Sequence, residues 1–229
     1  DLDEATDVIV DGNLVYETET TYIPRGSNNS YKNLAAGLYV SDETACIARD
    51  NTFTNNIVIN TRFGFGFYPY SSCSGVINTK LTNNTFINSW DYALRFSGYN
   101  SANSGSIVAN NLIYSKHGKA LLLENPLDFK FYNNLWYFVG GDSTGQFQWG
   151  ATSYNFNNWQ ALNASALSNN FWIDPQIVGS ITPAGNVASQ YYLKDTSPAI
   201  NSGLKTGITG LPTTDYLGKT RLIGSSIDI

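Results

Sequence analysis

Residues 80–88 read KLTNNTFIN and residues 106–114 read SIVANNLIY, so an asparagine pair interrupts two runs of β-forming residues. On both sides of each pair the apolar residues alternate with a period of two, which is typical of strands and not of helices. From Asn56 onward, the second asparagine of successive pairs returns after 28, 27 and 23 residues. Such a period predicts stacked copies of one supersecondary unit. The remaining members of the series are Gly12-Asn13, Asn55-Asn56 and Asn133-Asn134.

An asparagine at the same corner of every unit has a physical reason. It tolerates the left-handed backbone of a tight two-residue bend, and its amide can hydrogen-bond to the asparagines above and below. A ladder of this kind satisfies buried polar groups along the whole stack. With three short strands in each unit, coiled in one direction, the sequence predicts an all-β fold, a parallel β-solenoid with an asparagine ladder.

The C-terminal part of the chain carries a second, non-periodic series of motifs. Together with the repeats, this series resembles the right-handed parallel β-helix proteins that include pectate-lyase-like and alginate-lyase-like enzymes. The resemblance covers most of the chain, and it implies a right-handed parallel β-helix whose C-terminal end carries the motifs as capping structure. It does not identify a reaction. The motifs are Asn158-Trp159-Gln160-Ala161, Asp174-Pro175, Ser197-Pro198-Ala199-Ile200, Asp215-Tyr216-Leu217-Gly218-Lys219-Thr220-Arg221 and Asp228-Ile229.

The repeats and the composition indicate one elongated domain over residues 1–229. Hydrophobic residues make up 42% of the chain, which is ample for one long core. We expect rungs over residues 6–139, followed by an irregular loop, a short helix and a C-terminal capping segment over residues 140–229. The chain enters a rung at Thr6 with no helix before it to cover the open end. We therefore expect either further N-terminal rungs or end-to-end self-association with another chain.

The net charge and the composition indicate which class of partner the protein binds and where it is located. A net charge of −5, few charged residues and many Asn, Ser, Thr and Tyr residues are typical of secreted or cell-surface proteins that handle carbohydrate. A chain with net negative charge does not attract nucleic acid, which is also negatively charged. No apolar run is long enough for membrane insertion. The composition favours an extracellular protein with a polysaccharide partner.

The two cysteines, Cys46 and Cys73, lie 27 residues apart, close to the length of one rung. Neighbouring positions on adjacent rungs bring Cα atoms within disulfide range. Two buried thiols acting as small apolar core residues are the alternative. The spacing alone leaves both open.

Candidate site residues emerge from the stacking of rungs into columns. Counting six residues on from the second asparagine gives Arg62, Trp90 and His117, in the turn after the ladder strand. In the next strand, alternation points every second residue outward, among them Tyr39 and Arg95. The sequence therefore predicts one lateral face across three rungs. Its members are Arg62, Trp90, Asp91, Arg95, Lys116 and His117, with Tyr39 at its upper edge.

Position and chemistry both point to acidic polysaccharide. In the pectate-lyase-like enzymes this strand and its flanking turns form the substrate cleft, so the resemblance implies a polysaccharide site here. β-Elimination from a uronic acid polymer needs a cation beside the carboxylate, a base for the C5 proton and an aromatic platform for the ring. Arg95 is the candidate base, and His117 and Lys116 are further catalytic candidates. Arg62, Trp90, Asp91 and Tyr39 form the candidate substrate-binding set.

Other features weigh against a reaction at this face. Lyases of this fold often recruit Ca²⁺ with several carboxylates, but Asp91 is the single acidic residue of the predicted face, so calcium is a possible cofactor without an assigned metal site. A hydrolase would need two facing carboxylates, and no such pair can be assigned. An arginine or lysine in a turn is often only solvated, and Asp91 beside Arg95 can be a surface ion pair.

Two classes of function follow from these observations. The first is a polysaccharide lyase-like protein that acts on or binds acidic polysaccharide. The second is a non-catalytic surface, adhesin or fibre-forming β-solenoid, because open solenoid ends can stack and need no chemistry. The predicted lateral face favours the first, and the absence of an N-terminal cap from the sequence pattern favours the second.

Overall fold

The computed structural model describes residues 2–17, 35–42, 48–69, 76–98, 104–126, 128–141, 143–179, 191–222 and 226–229. Apart from one short helix, the regular secondary structure of this part of the chain is β-strand, arranged in three sheets. Sheet 1 contains β1 (Leu2–Asp3), β4 (Leu38–Asp42), β7 (Phe63–Pro69), β10 (Tyr92–Phe96), β13 (Lys119–Leu123), β16 (Phe147–Trp149) and β17 (Thr152–Tyr154). Sheet 2 contains β2 (Ile9–Asp11), β5 (Thr52–Thr54), β8 (Lys80–Thr82), β11 (Ile107–Ala109), β14 (Lys130–Tyr132) and β18 (Leu167–Ser168). Sheet 3 contains β3 (Leu14–Tyr16), β6 (Ile57–Ile59), β9 (Thr85–Ile87), β12 (Leu112–Ser115), β15 (Leu135–Phe138) and β19 (Phe171–Trp172).

The chain visits sheets 1, 2 and 3 in turn and then returns to sheet 1, so each circuit is one rung. Neighbouring strands within each sheet pair in parallel, and β17 alone among the named strands pairs antiparallel, with β16. Parallel pairing in all three sheets confirms the predicted β-solenoid. The strands extend past residues 6–139, because β1 begins at Leu2 and the last rung ends with β19 at Trp172.

The asparagine ladder is present at the corner between sheets 2 and 3. The Nδ2 atom of Asn84 donates to Asn111 Oδ1 at 3.0 Å, and Asn111 Nδ2 donates to Asn134 Oδ1 at 2.9 Å. Each of these Oδ1 atoms also accepts the backbone N–H of the preceding ladder asparagine. The ladder runs from Asn13 to Asn170, one rung beyond the predicted series. Buried amides are thereby paired along the stack.

The first asparagine of each pair has a different task from the second. Asn55, Asn83 and Asn110 have φ values of 54°, 55° and 57°, so the first position takes the left-handed backbone of the bend. The second position forms the ladder. The sequence prediction gave both tasks to one asparagine, whereas the structure divides them between two.

The interior of the coil is filled by aromatic and aliphatic side chains. The rings of Phe53, Phe65 and Phe96 contact one another at centroid distances of 5.1 and 5.3 Å. Helix α1 (Phe156–Gln160) places the buried Trp159 against the inward-facing ring of Phe147, stacked at 4.4 Å. The helix thus packs on the rungs near the end of the coil, in the region where the sequence predicts a short helix.

The C-terminal segment, residues 191–222 and 226–229, lies along the outer side of sheet 3. A second hydrophobic cluster forms there, in which Leu112 and Leu135 of sheet 3 pack with Ala199 and Ile229. The first asparagines hold the segment: Asn110 exchanges two hydrogen bonds with the backbone of Leu204, at 2.6 and 2.9 Å. The segment expected as an end cap therefore covers a side of the coil.

Cys46 and Cys73 lie outside the described residues, so the disulfide alternative stays a prediction. Among the described residues, no helix has the length and apolar character needed to cross a bilayer.

Candidate functional site

The outward column of sheet 1 forms the base of the predicted face. Residue-by-residue pairing aligns Tyr39 with Gly66, Gly66 with Arg95, and Arg95 with Leu122. The neighbouring inward positions, such as Phe65 and Leu94, are fully buried. Because Gly66 has no side chain, the Tyr39 ring lies over it, and an added Cβ would meet Tyr39 Cδ2 at 2.8 Å.

Two guanidinium groups flank one aromatic ring on this face. The Cζ atom of Arg62 lies 4.7 Å from the ring centroid of Phe63, and that of Arg95 lies 4.9 Å from the same centroid. Cations at this distance are attracted by the ring quadrupole. Arg95 is oriented further by a 3.0 Å hydrogen bond from Nε to Ser97 Oγ, and its Cζ lies 5.6 Å from the Tyr68 ring. We call the surface formed by Tyr39, Arg62, Phe63, Trp90, Asp91, Arg95, Lys116 and His117 the arginine face.

The sequence suggested an ion pair between Asp91 and Arg95, but in the structure Asp91 pairs with Arg62. Its Oδ2 atom lies 3.5 Å from both Nε and Nη2 of Arg62. The two residues are also neighbours in the rung stack, because Asp91 N donates to the backbone oxygen of Arg62 at 3.0 Å. The ion pair is half-exposed and long, so its contribution to stability is small. Its main effect is to fix the direction of the Arg62 side chain.

Trp90 and His117 form a stacked pair at the edge of the arginine face. Their ring centroids are 3.9 Å apart with an interplanar angle of 8°. The indole Nε1 of Trp90 donates to Asn60 Oδ1 at 2.7 Å, which fixes the ring. Since His117 covers one face of the indole, that face of Trp90 is not available as a sugar platform. Arg62 does not join this column, because Trp90 aligns with Thr61.

Burial and charge shift the pKa values of two groups of this region, His117 and Tyr92. Burial lowers the pKa of His117, and the nearby Lys116 lowers it further, so the imidazole is neutral at pH 7. Burial raises the pKa of Tyr92, with Asp91 and Glu124 adding to the shift and Arg95 opposing it. Lys116 itself is exposed. A neutral imidazole can accept a proton.

Several residues of this surface were missed by reasoning from sequence. Phe63 and Tyr92 precede small residues, Gly64 and Ala93, whose positions face inward and break the strand alternation. That break is the sequence signal that could have revealed them. Glu124 lies near this surface as well, and its Oε2 accepts the backbone N–H of Gly98. The added residues are Phe63, Tyr68, Tyr92, Ser97 and Glu124.

The carboxylates near the arginine face do not suit calcium. Ca²⁺ takes six to eight oxygen ligands, usually with several carboxylates. Asp91 is paired with Arg62 and Glu124 with a backbone N–H. Over the described ranges, no group of three or more His, Cys, Asp or Glu side chains is placed to hold a metal ion. The residues present do not fit the calcium site that the resemblance allows.

Comparison with protein-family models, with curated proteins and with solved structures finds no match to this chain.

Proposed function

We propose that the protein acts outside the cell on acidic polysaccharide, which the arginine face binds through the carboxylates of uronic acid units. The supporting observation is the pair of guanidinium groups held on the Phe63 ring, with centroid distances of 4.7 and 4.9 Å. Arginine suits carboxylates because its planar fork donates two parallel hydrogen bonds. Two such groups, fixed on an open strand face, suit a polymer that carries a carboxylate on successive units.

The aromatic groups add contacts for the sugar rings. Tyr39 lies over Gly66 one rung before Arg95, and the Trp90–His117 stack lies on adjacent rungs. Tyr and Trp combine apolar surface for a ring face with a polar edge for hydroxyls. Adjacent rungs are about 4.8 Å apart. A polysaccharide lying across sheet 1 therefore meets a new set of side chains with each rung.

β-Elimination is the reaction this set would perform if the bound polymer is cleaved. A base takes the C5 proton, the C4–O bond breaks, and the leaving oxygen receives a proton, so an unsaturated sugar forms without an added reactant. Arg95 is the candidate base from sequence, and His117 is the second acid/base candidate. His117 is the better base, because its lowered pKa leaves a neutral nitrogen free to accept a proton, whereas a guanidinium stays protonated. Arg62 and Arg95 then hold the substrate carboxylate and stabilise the developing charge.

Affinity electrophoresis tests the binding step. The protein is run through gels that contain polygalacturonate, alginate or a glycosaminoglycan, with and without calcium, alongside Arg95→Ala and the control Arg49→Ala. Arg49 is exposed and lies at the corner between sheets 1 and 2, away from Arg62 and Arg95. We expect Arg95→Ala to weaken binding about tenfold and the control to leave it unchanged. Equal mobility of all three proteins in every gel contradicts the proposal.

The absorbance of the unsaturated product tests the chemical step separately. Wild-type protein that forms product from one of these polymers, with His117→Ala inactive yet still retarded in the gel, supports elimination at this face. Retardation without product leaves a binding protein for acidic polysaccharide. Loss of both in a correctly folded wild-type protein removes the acidic-polysaccharide function.

Self-association is the second candidate function, and one observation favours it. Strands β1, β2 and β3 are edge strands of their sheets, and Val10 and Val15 are only half-buried against the core while Ile9 is 72% exposed. An open edge with apolar residues can pair with another strand. Sedimentation velocity over a range of concentrations checks this: assembly predicts larger species that Val10→Lys abolishes, and a monomer throughout contradicts it.

A further inference from the structure

A cleft lies between sheet 3 and the C-terminal segment, on a different face of the coil from the arginine face. Its volume is about 300 Å³. The first asparagines of the bends, Asn55 and Asn83, and the outward residues of sheet 3 form the inner wall. Three tyrosines of the C-terminal segment, Tyr191, Tyr192 and Tyr216, line the outer wall. None of these residues belongs to the arginine face.

Two buried polar atoms at this cleft have no partner. Tyr191 is 5% exposed, and its hydroxyl makes no hydrogen bond within the described residues. Asn83 is 4% exposed, and its Oδ1 is likewise unpaired, although its Nδ2 donates to the Asp228 backbone oxygen at 3.3 Å. The equivalent atom of Asn133, which does not line the cleft, is unpaired too, so an unpaired Oδ1 at this bend is not specific to the cleft. The Tyr191 hydroxyl is therefore the more informative of the two unpaired atoms. Buried polar groups without partners are uncommon and point to a missing hydrogen-bonding group.

One hydroxyl interrupts an otherwise apolar column in the floor of the cleft. Register in sheet 3 aligns Thr85 between Ile57 and Leu112. Ile57 and Leu112 are buried under the C-terminal segment, but Thr85 is half-exposed. The rest of this outward column is Leu14, Leu135 and Phe171. A threonine here forgoes apolar contact with the segment and leaves a hydroxyl facing the cleft.

The charges around the cleft balance. Lys219 and Arg221 carry two positive charges, and Asp215 and Asp228 carry two negative ones. Burial lowers the pKa of Arg221, but Asp215 and Asp228 oppose this, and the guanidinium stays protonated. A cleft with equal charges of both signs has no net preference for an anion or a cation. It offers donors and acceptors to a neutral polar ligand instead.

We infer that this cleft binds one neutral sugar unit. The exposed side chains of Tyr192 and Leu217, which also line the cleft, suit the C–H face of a pyranose ring. The unpaired atoms of Tyr191 and Asn83 and the Thr85 hydroxyl suit its hydroxyls. The volume lies at the lower end of the range for small-molecule sites, which fits a single unit and not a polymer strand. The inference concerns a different face from the acidic-polysaccharide site and does not depend on it.

Saturation-transfer NMR tests this site with defined probes: D-galactose, D-glucose, D-mannose and L-rhamnose, each as the free sugar and as its methyl glycoside. Tyr191→Phe and Thr85→Val remove one hydroxyl each at nearly constant volume. Tyr137→Phe is the matched control, because Tyr137 is also in the outer cluster of sheet 3 but does not line the cleft. We expect at least one sugar to bind, with its Kd raised about three- to tenfold by each cleft variant and unchanged by the control. Binding of the methyl glycoside identifies a glycan end as the ligand, and binding of the free sugar alone identifies a soluble sugar.

Folding and site effects separate cleanly here. Since the Tyr191 hydroxyl has no protein partner, Tyr191→Phe should keep its melting temperature or raise it. Arg95→Ala should leave sugar binding unchanged, so failure of this site and failure of the arginine face are distinguishable. If no probe binds to the folded wild-type protein, the cleft holds ordered water only and the inference is overturned. Binding that neither cleft variant weakens overturns it as well.

Discussion

Sheets 1 and 3 belong to the same rungs, yet one outward face is open and the other is buried under the C-terminal segment. On sheet 3 the outward column is almost wholly aliphatic, as at Ile57, Leu112 and Leu135, and packs into a second cluster. On sheet 1 the outward column changes character at every rung and includes Tyr39 and Arg95. A uniform apolar column needs a cover, whereas a varied polar column can serve as a binding surface.

The first asparagines of the bends make the covered face possible. An aliphatic column attracts any apolar partner, but it does not fix where the partner lies. The left-handed bend projects Asn110 and Asn133 to the outside, where they bond the backbone of Leu204 and Ser202. The same corner that builds the internal ladder therefore anchors the C-terminal segment on sheet 3 and not on sheet 1.

The largest expected difference between the two faces is in packing energy. Leu112→Ala on sheet 3 removes a buried side chain from the second cluster and should cost about 2–5 kcal/mol of unfolding free energy. Arg95→Ala on sheet 1 should cost less than about 1 kcal/mol. Chemical denaturation of both variants checks this. Similar losses in the two would mean that sheet 1 is also an internal surface.

A smaller contrast lies within one strand, β7. A Cβ at Gly64 would come within 2.6 Å of Phe86 Cδ1 and 2.7 Å of the Ala93 backbone oxygen, so Gly64→Ala should cost about 1–3 kcal/mol. At Gly66 the nearest atoms belong to the Tyr39 side chain and none to the backbone. Thermal unfolding should therefore show a larger loss for Gly64→Ala than for Gly66→Ala. The reverse order would contradict the assignment of inward and outward positions.

Loosening the C-terminal segment should affect only the covered face. The Nη2 and Nε atoms of Arg221 donate to Asn55 Oδ1 at 2.6 and 3.1 Å. Arg221→Met removes these bonds and should cost about 1–2 kcal/mol. Hydrogen exchange should quicken in residues 191–222 and in sheet 3, with sheet 1 unchanged. Uniform acceleration in all three sheets would show that the segment stabilises the whole coil.

The smallest expected effect is a change of the His117 pKa on the open face. His117 is the single histidine of the chain, so its imidazole signals need no assignment. NMR titration should give a pKa below the ordinary 6.5, and Trp90→Ala should raise it by removing the stacked ring. Because the folded pKa is the lower one, the unfolded chain binds the proton more readily. The contribution of His117 to stability is thus present above pH 6.5 and lost as the pH falls through the folded pKa.

The fold could be predicted from sequence because a single residue type marks the same corner of each rung. The Asn pairs gave the rung length, the bend and the ladder, and the structure confirms all three. The pair Asn169-Asn170 was missed because the excursion that contains β16, β17 and α1 separates Asn134 from Asn170 by 36 residues and hides the period.

The sequence predicts which residues share the candidate face, but it does not give their register. Two residues separate Asn60 from Phe63, whereas three separate Asn88 from the paired Tyr92, so this turn is one residue longer on the later rung. Counting from the ladder therefore aligned Arg62 with Trp90, although Asp91 is its neighbour. The path of the C-terminal segment could not be predicted either. It has little periodic structure, and its position depends on side chains of Asn110 and Asn133 that sequence alone leaves undirected.

The most direct test follows His117 by NMR while trigalacturonate is added to the protein. If the open face binds uronic acid units, the imidazole signals shift and saturate, and the His117 pKa rises because a nearby carboxylate stabilises the imidazolium. Arg95→Ala should weaken this titration, and Arg49→Ala should not. Unchanged His117 signals at every trigalacturonate concentration would contradict the account. The outward face of sheet 1 would then bind uronic acid units no better than the covered face of sheet 3.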